Sequence, residues 1–312
     1  MSLAWPHSLL TCRQVMIAAT WRGHMTGSQL PTTLAGPPLT AVGVAVIRAR
    51  ENRRDDRLYA DPYAERFVAA VQRAYLDPSA PENAAETWNT VLRLADVMYE
   101  TRTVGVRLVD DGLLEAASSG RPQIVLLGAG LDTHAFRLTW PAPVRLFEID
   151  LPALFAFKEP LLRDAVETCE RHVVAADLGT DDWSEGLLAN GFDPATPTHW
   201  VDHALMTLPT ASARAGFEAI TRLSAPGSRY GFPVMGSRSF STTLHTVDGA
   251  ADLYRNMSNV DRGLGDDARQ WIESLGWSTA FTSFAEQAAH CPRDVGSDSD
   301  SGTVTATRLD TL

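Results

Sequence analysis

Gln123-Ile124-Val125-Leu126-Leu127-Gly128-Ala129-Gly130-Leu131-Asp132-Thr133 is an apolar run that stops at a small, glycine-bearing turn. Gly120-Arg121-Pro122 bounds it upstream, so the run reads as a short strand buried on both faces. Gly128 and Gly130 let the backbone turn sharply and put no side chain in the way of a ligand. A second apolar strand, Val144 to Ile149, follows and ends in Asp150. Strand, glycine turn, crossover, strand and acid together form the pattern of a nucleotide-cradling α/β unit.

Downstream of this unit the chain alternates. Further strands are predicted over His172 to Ala176, His199 to Ala204, Arg229 to Met235, Trp277 to Phe284 and Gly302 to Leu309. Helical stretches fall between them at Leu151 to Cys169, Trp183 to Asn190, Thr210 to Ser224 and Asp267 to Leu275. Such alternation predicts a mostly parallel sheet with helices on both faces. The last two strands have no predicted helix between them, which points to an antiparallel closure. Gly296 to Ser301 reads as a mobile loop.

Upstream, Ala41 to Ala49 looks helical, and Asp61-Pro62-Tyr63-Ala64 looks like a helix start with Asp61 as its cap. Ala84 to Ala117 reads as helical across two segments. The expected organisation is a flexible arm over 1–40, a helical cap over 41–119, and a Rossmann-like core over 120–312 carrying an insertion at 237–261.

Lysine and arginine number 27 against 38 aspartates and glutamates, a net charge of −11. That argues against nucleic acid as the main partner, because such binding needs a basic face to displace counterions. No stretch approaches the ~18–20 consecutive apolar residues of a membrane span. Cys12, Cys169 and Cys291 are scattered and form neither a disulfide framework nor a metal-ligand spacing, so a reducing cytoplasm and no metal are expected. Oligomeric state is not legible.

The nature of the ligand follows partly by elimination. A dinucleotide fingerprint wants a third glycine where this chain has Thr133, and no Gly-Lys-Ser/Thr phosphate loop follows. A ligand with adenosine but no phosphate fits, and S-adenosylmethionine is such a ligand. Asp150 is placed to accept hydrogen bonds from the ribose hydroxyls, and Asp177, after the third strand, to meet the adenine amino group.

The same residues carry a family likeness. Val125 to Thr133 followed by Ala135-Phe136-Arg137-Leu138 strongly resembles the leucine carboxyl methyltransferase family, whose bacterial branch includes polyketide carboxyl O-methyltransferases of the tetracenomycin type. Further blocks match in order: Arg48-Ala49, Asp61 to Ala64, Arg102-Thr103 with Asp110, Phe147 to Pro152 with Lys158, Ala176-Asp177-Leu178, Leu275-Gly276-Trp277, and Thr305 to Leu309. The resemblance implies a Rossmann-like, S-adenosylmethionine-dependent O-methyltransferase acting on a small carboxylate. It implies that Arg102 pairs with the cofactor carboxylate, as suits a planar guanidinium fork. It also implies that Gly128 and Gly130 form the floor under the methionyl chain, that Asp150 holds the ribose, and that Asp177 and the Leu178 backbone fix the adenine. One block departs. After the fourth strand the family carries Glu-Gly, an apolar pair and Tyr-Leu, where this chain has Asp202-His203 and Thr207. Asp202 falls where the glutamate would meet the ligand's ammonium group, one methylene shorter. His134 stands where relatives often carry arginine.

Methyl transfer from a sulfonium mainly requires alignment of nucleophile, methyl and sulfur. A carboxylate acceptor, with a pKa of about 4, is ionised at neutral pH and needs no base. A phenol or hydroxyl acceptor must lose its proton, and His203 is then the candidate base. A chain that has lost methyl transfer and runs another reaction, such as a cyclisation, is the third alternative. Blander roles are expected elsewhere: Arg48 to Arg57 as a solvated, ion-paired helix end, His134 as a packing or capping residue, His172 as a strand start, and Trp140, Trp183, Trp200 and Trp277 as core.

Overall fold

The computed structural model describes residues 37–180, 182–234, 246–250, 262–293 and 301–310. The expected arm up to residue 36, most of the 237–261 insertion and the 296–300 part of the predicted mobile loop lie outside the described residues.

Four helices precede the first strand: α1 (Pro37–Asn52), α2 (Ala64–Tyr75), α3 (Ala84–Val97) and α4 (Tyr99–Ser118). Then come β1 (Gln123–Leu127), α5 (His134–Arg137), β2 (Arg145–Asp150), α6 (Pro152–Leu162), β3 (Glu170–Ala175), α7 (Trp183–Ala189) and β4 (Thr198–Asp202). A 3₁₀ turn (Leu205–Thr207), α8 (Thr210–Arg222), β5 (Arg229–Val234), α9 (Ala268–Ser274), β6 (Trp277–Ser283), α10 (Phe284–Ala288) and β7 (Gly302–Arg308) complete the order. The seven strands run β3-β2-β1-β4-β5-β7-β6 across one sheet. β1 through β5 pair in parallel, while β7 is antiparallel to both β5 and β6. This is the expected α/β architecture.

β1 shows why the opening run folds as it does. All five of its residues are buried, with Ile124 and Leu126 on one face and Val125 and Leu127 on the other. The first face packs under α1, α3 and α4 through Val42, Val46, Val91 and Leu113. The second belongs to a core cluster that runs through Phe147, Trp200 and Phe217 to Trp277 at the far edge of the sheet. Trp183, Trp200 and Trp277 are therefore core, as expected; Trp200 Nε1 donates to Ser224 Oγ at 3.0 Å, so its one polar atom is satisfied in the interior.

Three expectations need correction. The helix after β2 ends at Leu162 rather than near Cys169, because Thr168 turns inward: its backbone N and its Oγ1 both donate to the Ala135 carbonyl, at 2.7 and 2.9 Å. A short helix, α10, stands between β6 and β7 where none was expected. Its start is a capping box, with Ser283 Oγ accepting from the Glu286 amide and the Glu286 carboxylate accepting from the Ser283 amide at 2.9 Å. The Ser-x-x-Glu spacing was readable. Arg48 is not part of a solvated helix end: it is 4% exposed, whereas Arg53 and Arg57 do face solvent. Among the described residues no helix is long and apolar enough to cross a membrane.

Candidate active site

In an open parallel sheet, ligands bind beyond the strand ends where the strand order reverses, because the crossovers diverge there and leave a crevice. Here that point lies between β1 and β4, whose ends are in register at Leu127 and Asp202. The glycine turn sits on it. Gly128 has φ +77° and Gly130 φ +55°, both in the left-handed region. The Gly128 and Ala129 amides donate to the Ile149 carbonyl at 2.9 and 3.0 Å, folding the turn back toward β2. A Cβ on Gly128 would stand 2.5 Å from Ala204 Cβ, so the turn and the segment after β4 touch where only glycine fits.

Asp150 closes β2 beside this turn. Its Oδ2 accepts from the Gly130 amide and its Oδ1 from the Leu151 amide, both at 2.7 Å. Burial pushes its carboxyl upward against these bonds and against Lys158, yet part of its surface stays open. Asp177 follows β3, with its Oδ1 accepting from the Gly179 amide at 2.8 Å and Leu178 next to it half-buried. Arg102 on α4 and His203 after β4 share a distinctive setting. Both side chains keep exposed surface while nearby protein atoms desolvate them. Enclosure pushes Arg102 below its ordinary range. Desolvation likewise pushes His203 down to about 4; the Asp132 carboxylate opposes this, while His134, Arg102 and Arg48 reinforce it. His203 is therefore neutral at pH 7, and its electrostatic neighbours place Arg102 and Asp132 around the same space.

Asp202 is placed differently from the expectation. It is 4% exposed, and its Oδ1 accepts from the amides of Ala204 and Leu205 at 2.9 and 2.7 Å. Its Oδ2 accepts from the Tyr230 hydroxyl on β5 at 2.7 Å. Both oxygens are turned into the protein. At this end of the sheet Gly130 meets Asp150, Gly128 meets the Ala204 turn that follows His203, Arg102 acts on His203 through its charge, Asp177 and Leu178 follow β3, and Asp202 is held inside.

Sequence reasoning did not foresee the charged layer behind the turn. Arg48 donates to Asp61 Oδ2 at 2.8 Å, to Thr133 Oγ1 at 3.1 Å and to the Leu131 carbonyl at 2.5 Å, while Thr133 Oγ1 donates to Asp61 Oδ2 at 2.8 Å. Asp61 Oδ1 accepts from the Tyr63 and Ala64 amides, so one aspartate caps the entry to α2 and ties it to the turn. His134 is more than a packing residue: it bridges Asp110 at 2.9 Å and Asp132, and Arg137 grips Asp110 with two bonds of 2.7 and 2.6 Å. Burial pushes His134 down, but Asp132 and the bond to Asp110 outweigh burial and Arg137, and the net direction is up. A third buried group joins Glu148 to Lys158 and Arg171, each at 2.7 Å. A patterned signal existed only for Asp61, through its helix-start context; a lone tyrosine in β5 gives none. Among the described residues, no group of three or more His, Cys, Asp or Glu side chains could hold a metal ion.

Comparison with known proteins bears on the family and the fold. A profile of the leucine carboxyl methyltransferase family matches residues 41–221. A protein of Parafrankia sp. is 47% identical over 212 residues, 67% of this chain and 64% of that relative's own length. One from Frankia alni is 38% identical over 280 residues, covering 88% of this chain and 95% of the relative. One from Streptomyces coelicolor is 36% identical over 294 residues, covering 91% and 100%. All three carry the inferred name of S-adenosyl-L-methionine-dependent methyltransferase. Among solved structures, a protein of inferred methyltransferase function from Thermobifida fusca superposes with a TM-score of 0.50 at 17% identity, over 78% of this chain and 95% of the other. A DUF574 family protein from Streptomyces avermitilis superposes with a TM-score of 0.52 at 12% identity, over 86% and 97%. At those identities the likeness concerns the fold.

Proposed function

Because the chain belongs to the leucine carboxyl methyltransferase family, it is an S-adenosylmethionine-dependent methyltransferase, and we propose that it methylates oxygen, on the carboxylate of a small, polyketide-like natural product. When bound, S-adenosylmethionine supplies a methyl group on a sulfonium whose leaving thioether is neutral. The residues present fit it. Gly128 and Gly130 give it bare backbone. Asp150, partly open and fixed by two amides, suits the paired ribose hydroxyls. Arg102 suits the cofactor carboxylate, and Asp177 with the Leu178 backbone suits the adenine. Asp202 buttresses the turn between β4 and α8 from below. Residues 120–312 form the cofactor-binding part in this reading, the helices of 41–119 cap it, and the 237–261 segment belongs to the acceptor side. The described part of that segment supports the last assignment: Val247 and Ala250 pack into the helical core, and Arg93 on α3 donates to the Asp248 carbonyl at 3.2 Å. A reducing cytoplasm suits Cys169 and Cys291, both free thiols.

The match to the leucine carboxyl methyltransferase family supports a carboxylate acceptor, which arrives ionised and asks the site only for alignment. His203, its basicity lowered by desolvation, would be a poor base for a phenol. The position of His203 after β4 favours one second reading, a hydroxyl acceptor deprotonated by this ring. Incubating carboxylated and phenolic metabolites with methyl-labelled donor separates the two. The expected product is a base-labile methyl ester, with turnover in His203→Ala within about threefold of wild type, since no proton transfer is at stake. A base-stable ether whose formation falls ~100-fold or more in His203→Ala would establish the hydroxyl reading instead.

A further inference from the structure

Asp202 is a buried carboxylate without a cation. Among the described residues no arginine or lysine pairs with it; the largest influences on it are desolvation, the Tyr230 hydroxyl and the amides of Ala204, Leu205 and Met206. β1 contributes Leu127 opposite it and no charge. The titratable groups around it are Tyr230 from β5 and His203 of the following turn. This differs from every other buried acid near the glycine turn: Asp61 has Arg48, Asp110 has Arg137, and Asp132 has His134. An uncompensated charge in the interior is costly. Nothing in the hydrogen bonding demands it, because an asparagine amide could accept the same backbone bonds with its oxygen. The turn that Asp202 caps is the one that touches Gly128 through Ala204, and its His203 amide donates to the Leu127 carbonyl at 2.9 Å. The charge therefore lies just under the crevice.

Resting on the methyltransferase reading, we propose that Tyr230 is a positioning residue that holds Asp202 as an ionised carboxylate turned away from the cleft, so that its field favours the cationic methyl donor over the neutral thioether product. A fixed anion in a weakly polarisable interior acts on a ligand's charge without touching it. The donor carries one positive charge more than the product, at sulfur, and this difference is what the field reads. Tyr230 is fully buried, and its own ionisation is pushed far up, first by burial and then by Asp202, so it stays a donor at all working pH values. Asp202 itself is pushed up to about 6 by burial, with the Tyr230 bond and the amides pulling the other way. Its charge is consequently present at pH 8 and mostly lost at pH 5. Removing the Tyr230 donor moves that transition to higher pH.

Calorimetric titration of wild type, Tyr230→Phe and Asp202→Asn with S-adenosylmethionine and with S-adenosylhomocysteine across pH 5 to 8 tests this. The quantity read is the affinity ratio of donor to product. In wild type the ratio rises on the order of tenfold with pH. In Tyr230→Phe the midpoint of the rise moves upward, and in Asp202→Asn the ratio is flat. A ratio independent of pH in wild type, a midpoint unmoved in Tyr230→Phe, or a rise that survives in Asp202→Asn overturns the proposal. Wild type binding neither ligand overturns the methyltransferase reading beneath it. Circular dichroism confirms that each variant is folded, and Asp202→Asn alone decides the matter should Tyr230→Phe not fold.

Discussion

The two flanks of the glycine turn handle buried charge in opposite ways. On the flank facing α1, α2 and α4, every buried carboxylate has a cation: Arg48 with Asp61, His134 with Asp132, Arg137 with Asp110. The charges cancel within the protein, and their job is to fix the turn against the helices. On the flank facing β5, Asp202 has hydrogen bonds and no cation. Between them, Asp150 is fixed by amides and left partly open. Five acids near one turn thus fall into three settings: Asp61, Asp110 and Asp132 tied to cations, Asp150 fixed by amides and partly open, and Asp202 buried with hydrogen bonds alone. Nearness to the turn does not distinguish them; the partners do.

The largest expected effect breaks the paired flank. Arg48→Met strips the buried Asp61 of its close cation, leaving only Arg137 Nε at 3.9 Å, and removes the guanidinium bonded to Thr133; it should cost about 3 kcal/mol in urea unfolding. A smaller loss would mean that water reaches Asp61. Gly128→Ala combines a positive φ with a contact at 2.5 Å and should cost about 2–4 kcal/mol, also read by urea. Asp150→Ala removes the acceptor of the Gly130 and Leu151 amides together with the proposed ligand contact. It should cost about 1–3 kcal/mol in urea unfolding while S-adenosylmethionine affinity falls on the order of 100-fold, a loss larger than the change in stability explains. The smallest effect sharpens the comparison through pH. His134 has its pKa raised by its partners, so its contribution to stability is complete below the unfolded value of about 6.5 and is lost as pH rises through the higher folded value. Wild type should lose stability on that climb, and His134→Gln should lose less.

The fold was legible because its signals are local. The Gln123–Leu127 run needed burial on both faces, and the alternation of strands and helices needed a parallel sheet. The proposed cofactor residues could be picked out for the same reason: Gly128, Gly130 and Asp150 lie within one strand-turn-strand unit. The paired flank was hidden because its ties cross the chain, from Arg48 to Thr133 and from Asp110 to His134, and no spacing announces them. Asp202 shows the same limit. Its position after β4 could be read, but the hydroxyl that turns it inward comes from Tyr230, on another strand. Thr168, which shortens α6, was hidden likewise, since its partner Ala135 lies on α5.

Comparing Asp150→Asn with Asp202→Asn in binding S-adenosylhomocysteine tests the central claim, that the crevice between β1 and β4 holds the cofactor with Asp150 in contact and Asp202 withdrawn. This product lacks the sulfonium charge, so it reports contact rather than field. The expected result is a loss of roughly 30-fold or more for Asp150→Asn and of less than about threefold for Asp202→Asn. Equal losses in the two variants, or no loss in Asp150→Asn, would contradict the account.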